Sequence, residues 1–230
     1  MSTESTIASN LAQITDRISR LETQGQREAG SVRLLAVSKR KPAEMIRVAV
    51  SHGQHCFGEN YAEEGASKRN ELSDLNLEWH YIGHIQSNKT RLISSTYDWV
   101  QSVDREKIAQ RLAAHRSTEL PPLNVCLQVN IDAEESKSGC APEDLGNLAA
   151  GVASLDTLVL RGIMAIPAPQ QDMAEQRKVF RKLHNLYLQL QSDYPTVDTL
   201  SMGMTGDMEA AIVEGATMVR IGTAIFGQRD

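Results

Sequence analysis

Lys39 directly continues the apolar run Leu34-Leu-Ala-Val-Ser38. An ammonium half enclosed at a strand end is desolvated, which lowers its pKa and frees an amine for attack on a carbonyl carbon. A lysine snorkelling from the strand end into water gives the same pattern. Arg40 and Lys41 follow it and would also draw an anion. Two glycine-bearing turns, Ser201-Met-Gly-Met-Thr-Gly206 and Arg220-Ile-Gly-Thr-Ala224, carry a second kind of chemistry. Glycine lets backbone N–H groups approach phosphate oxygens closely, although turns also use glycine for their own sake. Asp207 and Glu209 suit the dipole of the helix that follows the first turn, and they would repel a dianion set over it. An anion is therefore expected nearer Ser201, Gly203, Gly222 and Thr223. Arg220 offers a fixed cation beside them, with an ion pair to Glu209 or Glu214 as its plain alternative.

These residues need a scaffold that gathers the ends of distant segments. Ile7, Leu11, Ile14, Ile18 and Leu21 recur at helical spacing, so residues 1–28 read as an amphipathic helix packed on a core. Short apolar runs then alternate with helical stretches. Strands are predicted at 34–38, 55–57, 78–82, 97–100, 123–131, 158–164, 199–201 and 218–221. Helices are predicted at 43–51, up to 66, and at 87–94, 105–114, after Pro142, 173–190 and 207–214, with Asp104 as a cap. Eight βα units in a single domain over 1–230 point to a closed (β/α)8 TIM barrel. An open doubly wound sheet would seek G-x-G-x-x-G after its first strand, where this chain has Ser38-Lys-Arg-Lys-Pro42.

A barrel brings the carboxyl ends of its strands to one face, and phosphate sites recur after strands seven and eight. An amine at the end of strand one and a phosphate site at strands seven and eight together describe one cofactor, pyridoxal 5′-phosphate. Arg220 could then meet its pyridine nitrogen, which would weaken the ring as an electron sink. A barrel binding a nucleotide phosphate is a further possibility, but it has no use for Lys39.

Composition narrows the remaining classes. With 24 Lys+Arg against 29 Asp+Glu and ten aromatic residues among 230, neither a nucleic-acid surface nor a stacking platform is expected. No run is long enough for a membrane span and no secretory signal is visible. Cys56, Cys126 and Cys140 lack C-x-x-C spacing, which fits a reducing cytoplasm. The His52-x-x-His55-Cys56 and His80-x3-His84 groups fall across element boundaries or within a strand, so no metal site is expected.

The chain resembles the pyridoxal phosphate homeostasis proteins, single-barrel relatives of the N-terminal domain of alanine racemases, over about residues 33–230. The resemblance rests on nine ordered blocks. They are Leu35-Ala-Val-Ser-Lys39, Phe57-Gly-Glu-Asn-Tyr61, Glu78-Trp-His-Tyr-Ile-Gly83, Gln86-Ser-Asn-Lys89 and Lys137-Ser-Gly139, then Met164-Ala-Ile166, Leu200-Ser-Met-Gly-Met204, Asp207-Met-Glu-Ala-Ala-Ile212 and Val219-Arg-Ile-Gly-Thr-Ala-Ile-Phe-Gly227. It implies a fold-type III barrel in which Lys39 holds the cofactor aldehyde as a Schiff base. Ser201, Gly222 and Thr223 would bind the phosphate, Arg220 would face the ring nitrogen, and Asn60 would lie near the cofactor. One departure is His84-Ile85 where the family has Pro-Leu, which puts a histidine near the mouth or in a solvent-facing loop.

The expected function is binding, buffering or delivery of pyridoxal phosphate without strong turnover, with PLP-dependent apoenzymes as recipients. The alternative is a racemase-like enzyme of low activity. Racemisation needs an acid/base group on each face of the substrate carbon. The racemase pattern takes one from an added C-terminal β domain, and no such domain is expected after the last strand. It also places tyrosine and histidine where this chain has Ala43 and Ile166. Lys137 is a speculative second amine for transient capture, and a monomer is expected.

Overall fold

The computed structural model describes residues 3–134 and 138–228. A long helix, α1 (Thr3–Gln24), precedes the first strand. Strands and helices then alternate: β1 (Arg33–Val37), α2 (Ala43–Ser51), β2 (Cys56–Glu59), α3 (Ala62–Glu71), β3 (Glu78–Tyr81), α4 (Thr90–Thr96), β4 (Trp99–Val103) and α5 (Glu106–His115). The second half runs β5 (Leu123–Gln128), α6 (Leu145–Ala153), β6 (Leu158–Met164), α7 (Met173–Asp193), β7 (Thr199–Ser201), α8 (Met208–Val213), β8 (Met218–Ile221) and α9 (Thr223–Phe226). The strands close in chain order into one ring, every neighbouring pair parallel, with β8 returning to β1. This is the (β/α)8 barrel that the alternation of short apolar runs and helices predicts. No helix among the described residues is long and apolar enough to cross a membrane.

The predicted helical face of α1 is buried through Ile7, Leu11, Ile14, Ile18 and Leu21, and it covers α2, α8 and α9 where the ring closes. Its buried Glu22 accepts from the backbone N–H of Val32 (2.7 Å), tying the end of α1 to the entry of β1. Several boundaries differ from the sequence reading: β1 and β2 are offset by one or two residues, α3 runs on from 66 to Glu71, and among the strands β4 and β5 change most. β4 begins at Trp99 because Asp98 turns back to its neighbours, its carboxylate accepting from Trp79 N (2.9 Å). β5 stops at Gln128, whose carbonyl accepts from Cys140 N (2.8 Å), and Asn130 N donates to the Cys140 carbonyl (2.9 Å), while Val129 N still reaches the Met164 carbonyl of β6. Asp104 does not cap α5: Arg105 takes the N-cap position and its guanidinium binds the Asp104 carboxylate.

Both faces of the sheet are buried, as parallel strands covered by helices require. Phe57, Trp79, Tyr81 and Tyr97 form aromatic pairs in the core. The barrel interior is partly polar. Gln101 of β4 touches His80 of β3, Ser201 of β7 and Met218 of β8, a set that only an inward side chain can reach.

Candidate cofactor site

A cavity of about 290 Å³ opens at the carboxyl ends of the strands. It is lined by Val37, Lys39, Asn60, Ile82, Ile166, Met204, Thr205, Gly206, Arg220, Gly222 and Thr223. It therefore joins the end of β1 to the ends of β2, β3 and β6 and to the turns after β7 and β8. A hollow of about 470 Å³ between α1 and α8 is larger, but it lies in the helical layer and contains no lysine. The chemistry of the strand ends is in the smaller one.

Lys39 is placed by the rigidity of the segment around it. Arg40 has a left-handed backbone (φ 60°), which turns the chain immediately after Lys39. From outside the barrel, Lys68 donates to the Ser38 carbonyl (2.7 Å) and the Glu64 carboxylate accepts from Arg40 N. The Lys41 N–H returns to the Ser38 carbonyl (3.0 Å). Lys68 also bonds Glu59 (2.8 Å), whose second carboxylate oxygen is buried without a partner. Burial pushes the Glu59 carboxyl up from its ordinary value, and Lys68 and Ser38 work against that shift.

Asn60 reaches the cavity from the end of β2, and its Oδ1 is buried with no hydrogen-bond partner. Gly83 is packed so tightly on the Asn60 backbone that a Cβ there would lie 2.1 Å from the Asn60 carbonyl oxygen. Only glycine lets β3 leave the barrel at that point.

Arg220 is 4% exposed. It donates to the Ser201 carbonyl (2.8 Å), the Ser201 hydroxyl (2.9 Å) and the Ala165 carbonyl (2.9 Å). Burial holds its guanidinium down to about 10, with Asp207 acting weakly the other way. The ion pairs considered from sequence do not form. Glu209 meets Arg17 (3.3 Å), while Glu214 meets Arg177 (2.6 Å) and Arg181 (2.9 Å). The guanidinium is thus a buried cation held by neutral oxygens, on a residue that lines the cavity.

The structure separates the other expected residues. Gly222 and Thr223 line the cavity, and a Cβ on Gly222 would lie 3.0 Å from the Val37 carbonyl, so the two strand ends pack closely there. Ser201 is turned into the barrel, where its hydroxyl donates to Gln101 Oε1 (2.6 Å) and accepts from Arg220, so it stands behind the guanidinium. Gly203 has φ 95° and a Cβ there would lie 2.5 Å from that of Ala211, so it admits α8 to the sheet. Thr205 and Gly206 sit on the cavity instead, although the same glycine-bearing turn had signalled them. Asp207 accepts from Met204 N (2.6 Å), fixing that turn. His84 is exposed against Ser138 (3.2 Å) and away from the cavity, and Lys137 lies outside the described residues.

Linear spacing could not show a cluster at the amino ends of the strands, where Cys56, Glu78 and His80 place ligand-type atoms within 4.8 Å of one another. The Arg33 guanidinium supplies the positive charge there, at 3.0 Å from the Cys56 sulfur and 2.6 Å from Glu78.

Comparison with known proteins agrees with this geometry. The family described as alanine racemase, N-terminal domain, matches residues 9–230. The pyridoxal phosphate homeostasis protein of Pseudomonas aeruginosa is 56% identical over 226 residues, 98% of this chain and 97% of that one. That of Escherichia coli K12 is 52% identical over 227 residues, 97% of each. The solved structure of PipY from Synechococcus elongatus with PLP bound has a TM-score of 0.81 at 36% identity, covering 96% of this chain and 100% of the other. On identity and coverage together, the chain belongs to the family of pyridoxal phosphate homeostasis proteins, built on the alanine racemase N-terminal barrel.

Proposed function

We propose that this chain binds pyridoxal 5′-phosphate reversibly at Lys39 and buffers or delivers it, with PLP-dependent apoenzymes as recipients and no strong turnover of its own. The observation that carries this reading is one cavity shared by a strand-end amine, a buried guanidinium without a carboxylate, and the close-packed turn at Gly222. The residues fit the group. Asn60 Oδ1 is a buried acceptor without a partner in the protein, and Gly222, Thr223, Thr205 and Gly206 offer small side chains and backbone to a phosphate. When bound, the group supplies an aldehyde that condenses reversibly with an amine.

Each residue then has a defined task. Lys39 holds the group covalently and releases it again. A guanidinium only donates, so Arg220 would leave a facing ring nitrogen without a proton, the weak electron-sink setting that suits holding more than transforming. Ser201 acts through Arg220, and Gly203 acts through the packing of α8. Among the described residues no tyrosine or histidine lines the cavity, and Ile166 stands where the racemase pattern has histidine, which favours holding the group over racemising with it. The free thiols Cys56, Cys126 and Cys140 support a reducing, cytoplasmic setting, and a monomer completes the reading.

The test is the absorption spectrum of purified protein mixed with pyridoxal phosphate, before and after borohydride reduction, with peptide mapping of the modified lysine. The expected result is a visible band that disappears in Lys39→Ala and a label on Lys39. An unchanged band in that variant would overturn the site. Racemisation of alanine at ordinary enzymatic rates would overturn the carrier role.

A further inference from the structure

We propose that His80 and Gln101 are positioning residues for Arg220: Glu78 fixes their hydrogen-bond directions, and they present Ser201 to the guanidinium as a pure acceptor. The proposal rests on the cofactor reading above for its consequence, but its geometry stands in the protein alone.

Four short contacts run through the barrel in series. Arg220 meets Ser201 Oγ (2.9 Å), Ser201 Oγ meets Gln101 Oε1 (2.6 Å), Gln101 Nε2 meets His80 Nδ1 (2.9 Å), and His80 Nε2 meets Glu78 Oε1 (2.6 Å). Glu78 lies at the amino end of β3, so the series leads from that end of the strands to the cavity at the other.

Elementary donor and acceptor rules give the series one direction. An ionised carboxylate can only accept, so Glu78 requires a proton on His80 Nε2. Arg33 at 2.6 Å keeps that carboxylate charged. Burial favours neutral imidazole, so His80 Nδ1 keeps a lone pair. That lone pair needs a donor, which turns the NH2 group of Gln101 toward His80. Its other N–H faces the Met218 sulfur (3.1 Å), so the amide has no freedom to flip. Gln101 Oε1 is left facing Ser201 and takes the hydroxyl proton. Ser201 then has only lone pairs for Arg220, which must donate. Trp99 stacks on His80, ring centroids 5.1 Å apart, and holds the imidazole plane. Hydrogen bonds aligned head to tail polarise one another, so the last member is a stronger acceptor than an isolated serine.

A structural filler would not need this order. An apolar barrel centre packs as well, and buried polar groups are costly unless each is satisfied. Here they lead to Arg220, a buried cation on the cavity.

The experiment uses the full chain. Side-chain 15N NMR of the protein without cofactor should show His80 as the neutral Nε2–H tautomer between pH 6 and 8, a range set by the ordinary imidazole pKa of about 6.5. An Nδ1–H tautomer reverses the series and overturns the proposal. Gln101→Leu and Glu78→Gln should each move the Arg220 side-chain resonances while leaving those of Arg177 and Arg181 in place. Arg220 resonances unmoved by both variants overturn it. In pyridoxal phosphate dialysis, Gln101→Leu should weaken retention by about tenfold, the worth of one hydrogen bond to a charged group. The double variant should be no weaker than Gln101→Leu alone, because the direction set by Glu78 is lost once the link is cut. Additive losses overturn the proposal. The NMR measurement on unsubstituted protein covers the case of a variant that fails to fold. A wild-type protein with no visible band overturns the cofactor reading alone, and the tautomer and Arg220 resonances still decide the positioning role.

Discussion

Lys68 acts on Lys39 without touching the cavity. Its ammonium bonds the Ser38 carbonyl (2.7 Å), Glu59 (2.8 Å) and Glu64 (2.6 Å), so one buried cation joins β1, β2 and α3 just behind Lys39. Glu59 is fully buried and also accepts from the Ser38 hydroxyl (2.7 Å). Removing one member of such a pair strands the other charge in a dry place, which costs about 3–5 kcal/mol, whereas replacing both by groups of similar shape costs far less. Lys68→Met is therefore expected to lower the unfolding free energy by about 3–5 kcal/mol in urea titration, and adding Glu59→Gln should recover much of the loss. A drop below about 1 kcal/mol would mean that water reaches the pair. The single variant should also loosen Ser38 and Arg40, and with them the hold that we propose for Lys39 on the cofactor aldehyde.

At the level of elements, β6 and β7 meet at a position that tolerates only glycine. Gly162 has φ 147°, and a Cβ there would lie 1.8 Å from the Thr199 carbonyl oxygen. Gly162 pairs with Thr199 at the start of β7, and Ser201 follows two residues later. Gly162→Ala adds overpacking to a strained backbone, together about 2–6 kcal/mol. It is expected to lower the melting temperature sharply and to weaken cofactor retention, since β7 carries both Ser201 and the turn to Thr205 and Gly206. Calorimetry of the variant within about 0.5 kcal/mol of the parent would contradict this. The strands themselves were legible because each is a short apolar run that stops at a glycine or a polar residue. Leu158–Met164, Thr199–Ser201 and Met218–Ile221 fall where the pattern puts them. β4 and β5 shifted because Asp98 and the Cys140 segment redirect backbone bonds, an effect of neighbours that no local pattern carries. Lys39, Gly222 and Thr223 were legible as strand ends. The same rule does not say which way Ser201 turns, since a strand-end residue can face the barrel interior, where the Ser201 hydroxyl bonds Gln101 and Arg220, as well as its mouth. The His80–Gln101–Ser201 series was illegible: its links join residues 21 and 100 apart, and only ring closure sets them in line.

For the whole molecule, the same interior charges set the pH range of stability, and their signs can be worked out one by one. Burial raises the Glu78 carboxyl, but the His80 hydrogen bond and the Arg33 charge outweigh it and hold the folded value near 2, against an ordinary 4.5. The folded state therefore keeps Glu78 ionised where the unfolded chain binds a proton, and stability rises with pH across that interval. Its contribution is fully present above about 4.5 and is lost as pH falls through 2. Burial lowers the His80 imidazole below 6.5 despite Glu78, so acidification protonates the unfolded chain first and again favours unfolding. Glu59 opposes them. Its folded carboxyl is raised, so it gains a proton in the fold before the unfolded chain does, and its share of stability is lost as pH rises through the folded value. Glu78→Gln removes the first contribution and, by taking away the carboxylate that raises the His80 imidazole, deepens the second. The variant should be less stable than the parent at neutral pH, with a gap in urea midpoint that narrows steadily as pH falls from 4.5 toward 2. A gap that stays constant over that interval would mean that the folded Glu78 titrates like an ordinary carboxylate, and that Arg33 and His80 do not hold its charge.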